Sequence, residues 1–185
     1  MERRKEVGEQ LLEFFFQLNE FKILAPEKLS VSEQIYYVNN CEVLASLEGS
    51  AAHNVLWANP KMQQIILRKQ SKVMPRQFQL NEAKNIPVTY IDVYKEPYIG
   101  FPITHDRGPF LLMFNENIKQ FAKDTNMLLP NTIGWLNTFN VLIYSAKCLQ
   151  MGYFILLRIS YLLLKIFIIK LSNDLPQPNG CGMNK

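Results

Sequence analysis

The stretch Val88-Thr-Tyr-Ile-Asp-Val-Tyr94 decides the fold class, because the helical spacing of the preceding residues changes there to a run rich in β-branched and aromatic residues. This composition predicts a strand. A second short apolar run, Phe110-Leu-Leu-Met-Phe114, predicts another. Residues 95–109 between them contain too much proline and glycine for a central strand, which indicates a loop or an edge. The sequence therefore predicts one short two-stranded element.

The residues before this element have helical patterns. Apolar residues recur at alternating spacings of three and four over residues 2–21, which predicts an amphipathic helix. Ser30 and Glu33 have the spacing of a capping box, which predicts a second helix. Asn39-Asn40 can interrupt this helix, and the apolar residues up to Leu47 continue its apolar face. A proline is tolerated in the first helical turn, so residues 60–67 predict a third helix. We expect a helical N-terminal layer.

The residues after the two-stranded element predict helix again. Residues 115–129 form an amphipathic pattern that Pro130 ends, and a long apolar segment follows. The predicted fold class is α+β, mostly α, with a long, apolar, basic C-terminal helix. We expect three parts: a charge-neutral globular domain over 1–130, a hydrophobic cationic helix over 131–172, and a flexible tail over 173–185.

The net charge supports this division. The whole chain of 185 residues carries +4. Residues 1–130 hold 15 Lys and Arg against 15 Asp and Glu, whereas residues 131–185 hold 5 against 1. The excess of positive charge therefore lies entirely in the C-terminal segment.

The C-terminal segment has the length of a membrane-spanning helix but contains charges. Residues 152–171 include 13 Leu, Ile or Phe among 20, together with Arg158, Lys165 and Lys170. The favourable free energy of inserting the apolar residues into a membrane and the cost of inserting the central charges nearly cancel. An interfacial or marginally transmembrane helix is therefore expected. At about 100° per residue, Lys147, Arg158 and Lys165 lie on one stripe. We expect these three residues and Lys170 to contact a membrane surface or a partner. The alternative is a core helix whose basic side chains reach outward to solvent.

Catalytic and metal-binding patterns are scarce. The three cysteines are scattered without a Cys-x-x-Cys pair, and no glycine-rich phosphate loop occurs, so neither a metal nor a cofactor is predicted. The weak catalytic candidates are His105 and Asp106, supported by Cys41 or Asp124. The order of histidines and aspartates resembles that of the HD phosphohydrolases, but helix-breaking residues flank the central pair, which favours a loop.

Aromatic residues beside the proline-rich loop are the predicted protein-interaction residues, since side chains with one polar end are enriched at interfaces. They are Tyr90, Tyr94, Tyr98 and Phe101. Core packing is the alternative explanation for them. A basic cluster, Arg68, Lys69, Lys72 and Arg76, lacks interleaved aromatic residues and belongs to a neutral domain, which disfavours nucleic acid as a partner.

These observations predict a non-catalytic interaction or adaptor protein whose C-terminal helix docks on a membrane surface or a protein partner. The alternative is an intracellular enzyme that uses the His105 and Asp106 loop. Scattered cysteines are typical of a reducing compartment, and the early glutamates interrupt any secretory signal. We therefore expect an intracellular location, in the cytosol or at the cytoplasmic face of a membrane.

Overall fold

The fold mixes helices with parallel strands, which confirms the expectation of a mixed α and β protein. The computed structural model describes residues 6–72, 74–99, 101–103, 108–131 and 133–152. The chain divides into two units, Met1–Ser145 and Ala146–Lys185.

The first unit contains five strands and four helices with complete bounds among its described residues. In chain order they are β1 Glu6–Val7, α1 Glu9–Leu18, α2 Val31–Asn40, β2 Val43–Leu47, β3 Gln63–Arg68, α3 Pro75–Lys84, β4 Val88–Asp92, β5 Phe110–Leu111 and α4 Glu116–Asp124. Two 3-10 segments, Pro26–Lys28 and Ser50–Trp57, lie before α2 and after β2. Residues 133–145 are helical as well.

The strands form two parallel sheets. One has the order β2-β3-β4, and the register pairs Leu47 with Leu67 and Leu67 with Ile91. The other pairs β1 with β5. The prediction of one two-stranded element is therefore wrong, because β4 and β5 belong to different sheets; an antiparallel bridge between Tyr94 and Leu112 connects the residues that follow them.

Helical layers cover both faces of the three-stranded sheet. On one face the buried side chains of β3 and β4 pack against α1 and α4. On the other face the 3-10 segment Ser50–Trp57 and α3 lie against the sheet. A smaller cluster around Val55 and Met62 fills the space beside α2. The first layer also contains edge-to-face contacts of Phe15 with Phe16 and Phe114, with ring centroids 5.1 and 5.2 Å apart.

The predicted helices over residues 41–47 and 60–67 are wrong, since both stretches contain strands. Short continuous apolar runs have no decisive period. Four consecutive residues of β3 are buried, as is typical of a central parallel strand covered on both faces. Helix α3 was not predicted, because its buried residues are polar: Gln77 and Asn81.

Local signals were more accurate. The capping box is confirmed: Glu33 N–H donates to Ser30 Oγ at 3.3 Å, and Ser30 N–H donates to the Glu33 carboxylate at 2.8 Å. Helices α1 and α4 lie within the stretches predicted for them. Glu6 and Val7, predicted as helical, form a strand, because Gly8 follows with φ +97 and turns the chain into α1.

Hydrogen bonds between residues far apart in sequence connect the N-terminal elements to later parts of the first unit. The Asn19 side chain accepts a hydrogen bond from Leu128 N–H at 2.7 Å and donates one to the Leu128 carbonyl at 3.1 Å. Similarly, Leu112 N–H donates to the Val7 carbonyl at 2.8 Å. The N-terminal elements are thus held by residues more than a hundred positions away.

In the second unit, residues 146–152 are described and are helical. Lys147 lies in this stretch, whereas Arg158, Lys165 and Lys170 lie outside the described residues, as does the predicted tail. Within the described part of the chain, no helix has the length and hydropathy needed to cross a membrane. The domain boundary at residue 130 stays a prediction.

Candidate functional site

The carboxyl edge of the three-stranded sheet gathers charged and polar residues. Parallel strands end at a common edge, and in open α/β sheets ligands bind just beyond it. Glu48 follows β2, Arg68 ends β3, and Asp92 ends β4. The register pairs Arg68 directly with Asp92.

Arg68 is held at this edge by polar and aromatic neighbours. Its guanidinium Nη1 lies 2.7 Å from Asp92 Oδ1, and its Nη2 donates to the Ser71 carbonyl at 2.9 Å. The same Nη2 also donates to the Gln70 carbonyl at 3.4 Å. The guanidinium carbon lies 5.8 Å from the centre of the Tyr94 ring. These contacts fix the orientation of the Arg68 guanidinium at the ends of β3 and β4.

Glu48, Gly49 and Ser50 turn the chain from β2 into the following 3-10 segment. The Glu48 side chain is buried, with 2% of the residue exposed, and its N–H continues the sheet by donating to the Leu67 carbonyl at 2.9 Å. Gly49 has φ +153 and ψ −161, a conformation that is accessible almost exclusively to glycine. The turn therefore places a buried acidic residue at the carboxyl edge.

Tyr90 joins this edge to α3. Asn81 Nδ2 donates to the Tyr90 hydroxyl at 2.9 Å, and the Tyr90 ring lies 5.0 Å from that of Phe78. Burial raises the pKa of the Tyr90 hydroxyl, and the negative charge of Glu48 raises it further, while Asn81 and Arg68 act in the opposite direction. Glu48, Arg68 and Tyr90 thus share one electrostatic environment.

A pocket of about 440 Å³, here called the Tyr98 pocket, lies beside the segments that follow β3 and β4. Its lining consists of Gln70, Ser71, Lys72, Glu96, Pro97, Tyr98, Ile99, Phe101, Pro102 and Ile103. The Glu96 carboxylate accepts hydrogen bonds from Ser71 N–H at 2.9 Å and from its hydroxyl at 2.7 Å. These two bonds join the two segments that line the pocket.

Tyr98 forms an aromatic wall of that pocket. Its ring stacks on Tyr144 with centroids 6.0 Å apart and an interplanar angle of 3°. Its hydroxyl lies 2.7 Å from Ser145 Oγ. Tyr98 nevertheless remains 43% exposed, so a rigidly supported part of this aromatic residue faces solvent.

The structure separates the four predicted interaction residues. Tyr98 and Phe101 line the same pocket, Tyr94 lies under the Arg68 guanidinium, and Tyr90 packs against α3. Their role as interaction residues stays a prediction. Sequence reasoning missed Glu48, Gln70 and Glu96, for which the only available signal was their position after strands, two of which had been interpreted as helices.

The remaining candidates are dispersed or undescribed. His105 and Asp106 lie outside the described residues, so their role stays a prediction. Cys41 follows α2, where burial raises the pKa of its thiol. Asp124 ends α4 and accepts a hydrogen bond from Gln120 Nε2 at 2.7 Å. The described residues contain no group of three or more His, Cys, Asp or Glu that could hold a metal ion.

Half of the basic cluster is engaged within the fold. Arg68 pairs with Asp92, and Lys69 Nζ lies 3.1 Å from Glu6 Oε1 and 4.4 Å from the centre of the Phe110 ring. Two of its four cations are thus neutralised by nearby carboxylates. Nucleic acid binding was disfavoured on sequence grounds, and that interpretation stays a prediction.

Comparison with known proteins gives one match. The model of the family described as Glycosyltransferase 61 matches residues 2–66, which are 65 of the 185 residues. The match points to an enzyme. No curated protein and no solved structure matches the chain. The matched residues contain α1, α2, β2 and the turn at Glu48.

This finding corrects the functional prediction. A non-catalytic adaptor or interaction protein is contradicted by the match to a glycosyltransferase family, and that prediction was wrong. Its error has a physical origin: the prediction depended on the charge of the C-terminal segment, whereas the matched residues lie at the other end of the chain and contain no short catalytic motif.

Proposed function

We propose that this chain acts in glycosyl transfer, with the carboxyl edge of its three-stranded sheet as the substrate-binding side. The observation that carries the proposal is the position of the family match. It includes the whole of β2 and the Glu48-Gly49-Ser50 turn, which lies where open α/β sheets bind ligands.

Glycosyl transfer breaks the bond between a sugar and its leaving group and forms a bond to an acceptor hydroxyl. Negative charge develops on the leaving group, and the acceptor hydroxyl loses a proton. Oriented cationic donors stabilise the developing charge, and a carboxylate favours loss of the proton. Within the Tyr98 pocket, exposed Lys72 supplies the positive charge and exposed Glu96 supplies the carboxylate. Arg68, which is paired with Asp92, and buried Glu48 lie beside the pocket at the sheet edge and act on it through their charges.

The Tyr98 pocket suits a sugar in size and lining. Ligand pockets range from about 300 to 1,000 Å³, and this one measures about 440 Å³. The rings of Tyr98 and Phe101 offer apolar surface to the C–H groups of a pyranose. Gln70, Ser71 and Lys72 offer polar atoms to its hydroxyl groups. We assign this pocket to the sugar-containing substrate.

The test is a transfer assay with the full chain, using a panel of radiolabelled nucleotide-activated sugars and simple acceptor glycosides. Glu96→Gln should reduce transfer by about 100-fold, because it removes the carboxylate that accepts the proton in the Tyr98 pocket. Glu82→Gln is the matched control, since Glu82 is an exposed residue of α3 and the chemical change is the same. Circular dichroism establishes that both variants fold.

Absence of transfer from every donor in the panel would contradict the proposed function. Equal rates for Glu96→Gln and Glu82→Gln would show that transfer does not use the carboxylate of the Tyr98 pocket. Tyr98→Phe separates the pocket from its support: it keeps the ring and removes only the hydrogen bond to Ser145. Tyr98→Phe should retain most activity, whereas Tyr98→Ala should raise KM.

We further propose that a helix over residues 131–172 brings the enzyme to a membrane surface or a protein partner inside the cell. The support is the charge distribution, with 5 basic residues and 1 acidic residue after position 130. Basic groups near a helix that is otherwise apolar favour binding to anionic lipid headgroups.

The full chain should float with vesicles of phosphatidylserine and phosphatidylcholine more than with vesicles of phosphatidylcholine alone. The double variant Arg158→Glu with Lys165→Glu should abolish the difference. Equal flotation on both vesicles would contradict anionic-lipid binding.

A further inference from the structure

A second depression, here called the β2 groove, lies on a different part of the first unit. It measures about 620 Å³ and is lined by all five residues of β2, Val43–Leu47. Successive side chains of a strand point to opposite faces of the sheet. Five consecutive residues can therefore line one groove only where the groove runs along the edge of the strand.

The hydrogen-bonding pattern shows which backbone groups face the groove. Gln63 N–H donates to the Glu42 carbonyl at 2.8 Å, and Glu48 N–H donates to the Leu67 carbonyl at 2.9 Å. In a parallel ladder, alternate residues bond to the same neighbour. Even-numbered residues of β2 consequently bond to β3, and the N–H and C=O groups of Val43, Ala45 and Leu47 point outward. In the described part of the chain, no strand pairs with this edge.

The walls of the β2 groove are largely apolar. Its lining includes side chains of α1, of residues 21–24 and of α2, among them Phe16, Phe21 and Leu24. Every residue of β2 is half-buried, whereas four consecutive residues of β3 are buried. A strand edge that no described strand pairs with, lined by apolar side chains, is the geometry to which an extended peptide adds a further strand.

The charges around the β2 groove indicate what kind of peptide fits. Its acidic lining residues are Glu9, Glu13, Glu20 and Glu42, and its one basic lining residue among those described is Lys22. Lys22 Nζ is engaged by Tyr37, whose hydroxyl lies 3.1 Å away and whose ring centre lies 4.5 Å away. The acidic surplus complements lysine or arginine in the incoming segment.

We propose that the β2 groove binds an extended segment of a protein partner, apolar on one face and carrying lysine or arginine on the other, which adds a strand to β2. The outward N–H and C=O groups of Val43, Ala45 and Leu47 provide the hydrogen bonds. Apolar side chains of the segment contact the walls, and its basic side chains reach the glutamates. This inference is independent of the proposed catalytic function.

The first experiment measures binding of the peptide acetyl-Lys-Val-Lys-Val-Lys-Val-amide to the full chain. Isothermal titration calorimetry gives the affinity, and amide hydrogen exchange locates the site. The outward-facing amides of β2 should become at least about tenfold more protected, as expected when exposed N–H groups become hydrogen-bonded. Two derivatives, N-methylated on every valine or on every lysine, block opposite edges of the peptide strand. One derivative should bind like the parent peptide and the other should fail to bind.

The second experiment changes the groove. Ala45→Pro removes an N–H that faces the groove and leaves the ladder to β3 intact, so affinity should fall about five- to tenfold. Ala45→Ser, which keeps the N–H, is the matched control. Because a proline in a strand could disturb folding, the double variant Glu13→Lys with Glu42→Lys provides a change outside the strand and should also weaken binding.

Absence of parent-peptide binding, equal binding of both methylated derivatives, or undiminished affinity of the charge-reversal variant overturns the proposal. Sedimentation of the full chain tests whether a second copy of the chain occupies the groove. If the protein dimerises and β2 is protected before peptide is added, a second copy of the chain fills the groove, and the proposal of a separate partner is wrong.

Discussion

Three glycines of this chain should respond to the same substitution with different effects on stability. Gly8 has φ +97, and a Cβ added there would collide with the Leu112 carbonyl oxygen and lie 3.1 Å from Asn140 Nδ2. Gly49 has φ +153 but open space around its Cβ position. Gly134 lies in a helix, also with open space. The series therefore separates steric collision, backbone strain and chain entropy.

The magnitudes follow from these local differences. Gly8→Ala combines an unfavourable backbone with displacement of Leu112, which pairs with Val7, so it should destabilise by about 2–5 kcal/mol. Gly49→Ala should destabilise by about 1–3 kcal/mol, because only its backbone conformation is unfavourable for alanine. Gly134→Ala should stabilise by about 0.4–1 kcal/mol, because alanine restricts the unfolded chain and fits the helix.

Urea unfolding of the full chain, followed by circular dichroism, measures all three free energies of unfolding. For a protein of this size, thermal midpoints should shift by about 2–4 °C per kcal/mol. The reasoning is refuted if Gly49→Ala unfolds at the wild-type denaturant concentration, or if Gly134→Ala is the more destabilising of the two. A Gly8→Ala protein as stable as wild type would show that β1 and β5 do not need the close approach at Leu112.

Further predictions concern the capping box and the α3 contact. Ser30→Ala should destabilise by about 0.5–2 kcal/mol in urea unfolding, because the Glu33 N–H loses its side-chain acceptor. Hydrogen bonds from the Ser30 hydroxyl and backbone hold the pKa of the Glu33 carboxyl below its ordinary value, so their stabilisation is present above that value and disappears as the pH falls through the lowered pKa. The stability difference between wild type and Glu33→Gln should therefore shrink on acidification; a constant difference would contradict this origin. Tyr90→Phe should cost about 0.5–1.5 kcal/mol, since the Asn81 amide loses its acceptor, and the same loss in an Asn81→Ala background would show that the bond is not responsible.

Local signals predicted well those elements that neighbouring residues define. The Ser30 capping box, β4 and α4 depend on spacing within one short stretch, and the sequence indicated each of them. β3 does not: its apolar run is compatible with a helix or a strand, and parallel pairing with β2 and β4 decides between them. Parallel pairing depends on residues that are distant in sequence, and the spacing of apolar residues within one stretch does not indicate it.

The candidate site was predicted only in part for the same reason. Tyr98 and Phe101 were recognisable as aromatic residues beside a proline-rich loop, and both line the Tyr98 pocket. Glu48 has no local feature that separates it from the other glutamates. Its place at the sheet edge follows from the ending of β2 beside β3, and its charge acts on the Tyr90 hydroxyl, 42 positions further along the chain.

The hydrogen bonds between Asn19 and Leu128 have a consequence for synthesis of the chain. Residues 109 positions apart must both exist before α1 can be fixed against the rest of the first unit. At about 5–20 residues per second, the ribosome takes on the order of ten seconds to cover that distance. During this interval the apolar face of α1, including Phe15 and Phe16, has no completed layer to cover it. Nascent chains stalled before Leu128 should therefore recruit chaperones that bind apolar helices at α1, and chains that extend beyond it should recruit fewer of them there.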